Sequence, residues 1–101
     1  MTINRDVRCS EIIQSKPHML VPWYLMASYL YYWEDISLLS DSLYDRLCKQ
    51  LLDQWDSIEH RHKGLIDRES LASGTGYALL RGDYPEMTKS CAIRLAHDAT
   101  F

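Results

Sequence analysis

The sequence predicts an all-α fold: a small bundle of four or five short helices built on an antiparallel helical hairpin over about residues 20–59. An apolar stripe recurs with helical period through residues 44–58, and no stretch alternates between apolar and polar side chains as a strand would. The 101 residues are 47% hydrophobic and 25% charged, which is ordinary for a soluble globular protein with one core. We therefore expect residues 1–101 to form a single helical domain.

The first predicted helix covers residues 4–15. Its apolar side chains Val7, Ile12 and Ile13 would face inward. Pro17 should end this helix, because the residue before a proline is disfavoured in the helical region.

A second helix is expected from about Leu20 to Trp33, with Pro22 in its first turn, where a missing amide donor costs nothing. Its interior has no polar face. Such a helix is either surrounded by neighbours or keeps an aromatic surface for a ligand. The apolar stretch from Met19 to Trp33 has fifteen residues, fewer than the ~20 that cross a bilayer, so no membrane span is predicted.

The third helix should run from about residue 41 to residue 59, with Ser40 as its N-cap. Its apolar stripe is the clearest in the chain and consists of Tyr44, Leu47, Cys48, Leu51, Leu52, Trp55 and Ile58. A short loop joins this helix to the second one, so the two should pack as an antiparallel hairpin.

The rest of the chain is predicted to contain a loop over residues 60–67, a short helix from Asp67 to Ala72 and a last helix that ends near His97. Asp83 and Glu86 have the spacing of a capping box at the start of this last helix. Its inward side chains would be Met87, Cys91, Ala92 and Leu95.

Charge and cysteine usage exclude several functions. The net charge is −3 and the basic residues are scattered, so independent binding to duplex nucleic acid is not expected. Cys9, Cys48 and Cys91 are odd in number and match no zinc or redox spacing, which favours a reducing compartment. His60 and His62 stand two apart with no further ligand placed, so no metal site is predicted. The N-terminus carries no apolar signal core, and we expect a cytoplasmic protein.

The chemistry is concentrated at the two ends that the hairpin brings together. Tyr31 and Tyr32 end the second helix, while Asp41, Tyr44 and Asp45 lie in the first turns of the third. Because residues three and four apart share a helix face, the two carboxylates should flank Tyr44. Aromatic rings present a negative face and carboxylates add full charges. The sequence therefore predicts a small aromatic slot for a flat, positively charged ligand.

The pattern Tyr-Tyr, two residues, Asp, five residues, Asp, two residues, Tyr-Asp-Arg-Leu resembles the N-terminal subdomain of bacterial NAD-dependent DNA ligases. In that family the helical hairpin recognises the nicotinamide mononucleotide half of NAD. The resemblance implies that Tyr31 and Tyr44 stack on the pyridinium ring and that Asp41 and Asp45 hold its polar edge and ribose. Tyr32 stands where some members place a phosphate-contacting histidine.

The resemblance covers about nineteen residues and departs from the family at several points. Leu43 replaces a glutamate that would complete a capping box with Ser40, and Ser37 replaces a loop proline. No lysine lies in the Lys-x-Asp-Gly motif on which ligases form lysine–AMP, so no catalytic residue is assigned. A second resemblance, which includes residues 59–63 and 74–77, is to small uncharacterised proteins of tailed phages of marine bacteria and implies no activity.

Three functions follow as hypotheses. Eleven aromatic residues, six of them between Trp23 and Trp33, exceed what one small core readily conceals. This favours an accessory module whose aromatic surface engages a protein partner or a second copy, and the second resemblance implies that the module is phage-encoded. The resemblance to the ligase subdomain favours a module that binds NAD or nicotinamide mononucleotide, and a third reading is a fragment that completes a separately encoded ligase.

A structural reading of the same residues needs no ligand. Tyr44 lies on the core stripe with Leu47 and Leu51. Asp41 and Asp45 also stabilise the helix macrodipole from its N-terminal end. The structure has to show whether these side chains meet in one accessible place.

Overall fold

The computed structural model describes residues 5–66, 68–72 and 84–98, apart from the side chains of residues 70, 97 and 98. These ranges hold five α-helices: α1 (Asp6–Ser15), α2 (Leu20–Trp33), α3 (Asp41–Asp53), α4 (Arg68–Ala72) and α5 (Glu86–Asp98). Short 3-10 turns cover Pro17–Met19 and Lys63–Leu65. No β-strand occurs in these ranges. The predicted all-α class is confirmed.

Helix α2 is the central element of the molecule. Leu20, Val21 and every residue from Trp23 to Leu30 are buried, because α3 and α5 both pack against this helix. Its lack of a polar face is thereby explained: the helix is surrounded by neighbours. In the described part of the chain, no helix has the length and apolarity that a bilayer span requires.

The turn after α2 is closed by two hydrogen bonds to one carbonyl. The Leu30 oxygen accepts from the N–H of Glu34 at 3.2 Å and from the N–H of Ile36 at 2.8 Å. Between them Asp35 has a φ of 56°, a left-handed conformation that aspartate adopts more readily than most residues. The chain can therefore reverse within a few residues, and α2 and α3 pack as the predicted hairpin.

Helix α3 begins with a cap that is shared between two helices. The Ser40 hydroxyl accepts from the Leu43 N–H at 3.2 Å, which confirms the predicted N-cap. The Ser40 N–H donates to Asp6 Oδ1 at 2.8 Å, so an aspartate of α1 makes the bond that a glutamate at position 43 would make in a capping box. The Arg5 N–H also donates to the Leu38 carbonyl at 3.0 Å. The start of α1 is thus fastened to the hairpin loop.

Helix α3 ends at Asp53 rather than at the predicted Glu59. Just beyond Asp53 the hydrogen bonding tightens to a three-residue spacing: the Trp55 N–H donates to the Leu52 carbonyl at 3.3 Å, and the Ser57 hydroxyl donates to the Gln54 carbonyl at 3.0 Å. A carboxylate at the C-terminal end, Asp53, is also unfavourable to the helix macrodipole. The chain continues as turns that still bury Ile58, so the stripe persists although the regular helix does not.

The buried face of α1 differs from the predicted one. Ile13 is buried and Ile12 is half-buried, as expected, but Val7 is 71% exposed and Cys9 takes its place in the core. Asp6 is directed toward the hairpin loop by its hydrogen bond with the Ser40 N–H. With the helix in this orientation, the next residue, Val7, points toward solvent.

The buried face of α5 also differs. Met87 is 59% exposed and Cys91 is exposed, contrary to the prediction, while Ala92 is buried and Leu95 is half-buried. The core-facing residues stand four apart and are small: Thr88, Ala92 and Ala96. Small side chains let α5 approach the aromatic helix α2 closely. The predicted capping aspartate, Asp83, lies outside the described residues.

Candidate functional site

The predicted site residues meet in one place. A pocket of about 200 Å³ lies between the end of α2 and the start of α3, and we call it the hairpin pocket. All five residues chosen from the sequence line it: Tyr31, Tyr32, Asp41, Tyr44 and Asp45. Ala27 and the loop residues Ser37, Leu38 and Leu39 complete the wall.

The size of the hairpin pocket limits what it can hold. An apolar cavity of roughly 150 Å³ accommodates one benzene molecule, whereas sites for drug-sized ligands measure about 300–1,000 Å³. At about 200 Å³ the pocket has room for one ring with a small substituent. Any sugar or phosphate attached to such a ring would lie outside.

Two tyrosines at the end of α2 form one wall. The rings of Tyr31 and Tyr32 are 4.9 Å apart and nearly perpendicular, at 82°, an arrangement that aromatic quadrupoles favour. Tyr31 is 54% exposed and Tyr32 is half-buried. The Tyr31 ring therefore keeps surface that a ligand can cover.

Tyr44 forms the inner wall and is anchored in the core. Its hydroxyl is 2.6 Å from Ser28 Oγ, and Ser28 is fully buried. Its ring lies nearly parallel to Tyr24, with centroids 6.0 Å apart. Burial, reinforced by nearby Tyr24, raises the pKa of the Tyr44 hydroxyl far above its usual value. Tyr44 is therefore neutral in the physiological range, and its hydroxyl is engaged on the core side.

The two aspartates lie one helical turn apart at the pocket and are exposed. Asp45 Oδ2 forms an ion pair with Lys49 Nζ at 3.0 Å, and both side chains are more than half exposed. Such surface pairs contribute only about 0.2–1 kcal/mol, so a ligand can compete for Asp45. With two carboxylates and one ammonium group, the rim favours positive charge.

The thiol that stands nearest to the pocket residues along the chain is not activated. The nearest thiol along the chain is Cys48, on the same helix as Tyr44. Burial, with a smaller contribution from Asp45, raises its pKa to about 12, so the nucleophilic thiolate is absent at neutral pH. Within the part of the chain that the structure describes, no three His, Cys, Asp or Glu side chains are grouped to hold a metal ion.

Some wall residues could not be singled out from the sequence. Leu38 and Leu39 are buried by the hairpin, and loop residues carry no periodic signal. Ala27 stands four residues before Tyr31, on the same helical face, so its place was available from spacing. Ser28 and Tyr24 also stand four apart, but their link to Tyr44 required the tertiary structure.

No protein family, curated protein or solved structure matches this chain in comparisons with known proteins. Function has therefore to be inferred from the geometry of its own residues.

Proposed function

We propose that the hairpin pocket binds a flat ring that carries positive charge, with the nicotinamide of nicotinamide mononucleotide or NAD as the ligand to test first. The observation that supports this most directly is the meeting of Tyr31, Tyr32, Asp41, Tyr44 and Asp45 in one pocket. Its volume suits a single ring. The resemblance of residues 29–47 to the ligase subdomain points to the same ligand.

Two attractions act on such a ring. The accessible surface of Tyr31 and the ring of Tyr44 contribute cation–π and stacking contacts of about 0.5–2 kcal/mol each. Asp41 and Asp45 add charge attraction that salt would screen. An uncharged ring of the same shape would keep the stacking contacts but lose the cation–π contacts and the attraction to the two carboxylates.

Titration calorimetry tests the proposal. Nicotinamide mononucleotide and NAD should give heat, whereas AMP, which lacks the pyridinium ring, should give none. Reduced nicotinamide mononucleotide, with an uncharged ring, is the matched ligand control and should bind more weakly. Raising the salt concentration should reduce the difference in affinity between oxidised and reduced nicotinamide mononucleotide, because salt screens the charge attraction.

A pair of aromatic substitutions locates the site. Tyr31→Ala removes an exposed ring of the pocket and should weaken binding about 5- to 30-fold, which corresponds to roughly 1–2 kcal/mol. Trp33→Ala is the matched control, because Trp33 is 39% exposed at the same helix end but does not line the pocket. The absence of binding heat with both nucleotides, or an equal loss of affinity in Tyr31→Ala and Trp33→Ala, would rule out this assignment.

A second candidate function is recognition of a protein partner, or of a second copy, through the end of α2. Tyr31 and Trp33 are 54% and 39% exposed, so this end of α2 presents aromatic surface that a partner could cover. If this second function is correct, Trp33→Ala as well as Tyr31→Ala should alter the association that light scattering measures. If the partner were a separately encoded ligase, adenylation of its lysine should depend on this chain.

A further inference from the structure

A second concave surface lies where α1, α2 and α5 meet, and it shares no lining residue with the hairpin pocket. It has a volume of about 380 Å³, and we call it the methionine groove. Its largely apolar lining includes Ile12, Met19, Trp23, Met26 and Leu95. The groove is roughly twice as large as the hairpin pocket, so its volume is not limited to a single ring.

The α5 side of the groove is exposed although it is apolar. Met87, which lines it, is 59% exposed, and Arg61 Nη2 approaches its sulfur to 3.3 Å. Three methionines contribute to the lining, at positions 19, 26 and 87. Methionine is flexible and polarisable, and it is common at surfaces that adapt to the side chains of a partner.

The charged side chains that line the groove have one sign. Arg8 and Arg61 line it together with His60 and His62, and none of the described lining residues is acidic. Burial and the neighbouring His62 lower the pKa of His60, so Arg8 and Arg61, rather than His60, supply positive charge at neutral pH. This concentration of positive charge contrasts with the net charge of −3 for the whole chain.

We propose that the methionine groove docks an acidic amphipathic helix of a partner protein. Apolar side chains three and four residues apart on such a helix would enter the groove between the methionines, as in other helix-in-groove complexes. Its acidic face would meet Arg8 and Arg61. The partner is thereby defined by charge complementarity at the rim and by the apolar lining.

The test uses a synthetic, fluorescently labelled helical peptide with leucines on one face and glutamates on the other. A second peptide with lysine at every glutamate position is its charge control. By fluorescence anisotropy the acidic peptide should bind at least tenfold more tightly than the basic one. The difference should shrink as salt is added.

Substitutions on the protein complete the test. The double variant Arg8→Ala/Arg61→Ala should weaken binding of the acidic peptide at least tenfold, and Met87→Glu should do the same. All three residues are exposed, so the fold should persist in each variant. Arg94→Ala is the matched control, because Arg94 is an exposed arginine of α5 that does not line the groove. Equal binding of the two peptides, or equal binding by the double variant and Arg94→Ala, would overturn the proposal.

Cys91 provides an independent readout of occupancy. It lines the groove and is exposed, whereas Cys9 and Cys48 are buried. Saturating acidic peptide should slow alkylation of Cys91 by a maleimide at least fivefold, and unchanged alkylation would contradict docking in the groove. Self-association that Met87→Glu abolishes would instead identify a second copy as the occupant and refute the partner proposed here.

Discussion

Tyr44 serves the core and the hairpin pocket because its hydroxyl and its ring meet different neighbours. The hydroxyl is 2.6 Å from the buried Ser28 Oγ. The ring lines the pocket. The structural reading of this residue and the ligand-binding reading are therefore compatible, and they can be separated by changing only the hydroxyl.

Tyr44→Phe keeps the ring and removes its hydroxyl. We expect the free energy of unfolding to fall by about 1 kcal/mol, because one hydrogen bond to a buried serine is lost. Affinity for nicotinamide mononucleotide should change less than twofold. Urea denaturation of Tyr44→Phe, Ser28→Ala and the double variant should give non-additive losses. Simple additivity would mean that the two hydroxyls do not interact in solution.

At the scale of elements, the bounds of α2 and the start of α3 were easier to predict than the end of α3 or the faces that α1 and α5 bury. Pro22 and the turn at Asp35 delimit α2, and Ser40 delimits the start of α3, because proline and capping residues act locally. The exposed faces of Val7 and Met87 depend on what packs nearby: Asp6 is drawn to the hairpin loop, and α5 presents small residues to α2. Sequence periodicity alone contains no such information.

The cap that joins α1 to α3 can be tested by one substitution. Asp6→Ala removes the acceptor of the Ser40 N–H and should lower the free energy of unfolding by roughly 1–2 kcal/mol, as expected for a charge-assisted hydrogen bond. Glu11→Ala, on the exposed face of the same helix, should stay within about 0.5 kcal/mol. Thermal or urea denaturation measures both. Similar losses in the two variants would argue against a structural role for the shared cap.

At the scale of the molecule, buried thiols and phenols make stability depend on alkaline pH. Burial raises the pKa of Cys9 and of Cys48 from 9.0 to about 12, and that of Tyr84 from 10.0 to about 12. Nearby Asp6, Asp45 and Tyr32, respectively, add smaller effects. Above pH 9 the unfolded chain loses thiol protons that the folded chain retains. The stability that these buried, protonated groups contribute is therefore fully present below pH 9 and is lost as the pH rises toward 12.

Urea denaturation under reducing conditions at pH 7.5, 9 and 10.5 checks this dependence. The free energy of unfolding should change little up to pH 9 and then fall by as much as about 1.4 kcal/mol per pH unit for each buried thiol. The double variant Cys9→Ala/Cys48→Ala should show a shallower slope whatever its stability at neutral pH. A flat profile to pH 10.5 would contradict the burial of these thiols.

The candidate site was largely predictable because it is local. Tyr31 and Tyr44 come from adjoining ends of one hairpin, so sequence spacing and a short loop sufficed to bring them together. The volume of the pocket, the ion pair of Asp45 with Lys49 and the anchoring of Tyr44 by Ser28 were not predictable. These features depend on how α2 and α3 pack, which spacing does not specify.

Titration of the isotope-labelled protein with nicotinamide mononucleotide, followed by two-dimensional amide NMR, tests the central claim most directly. We predict saturable shifts concentrated in residues 27–45, around the hairpin pocket, with little change for α5 and none on addition of AMP. No shifts at millimolar ligand, or shifts centred on residues that do not line the pocket, would contradict recognition of a positively charged ring at this hairpin.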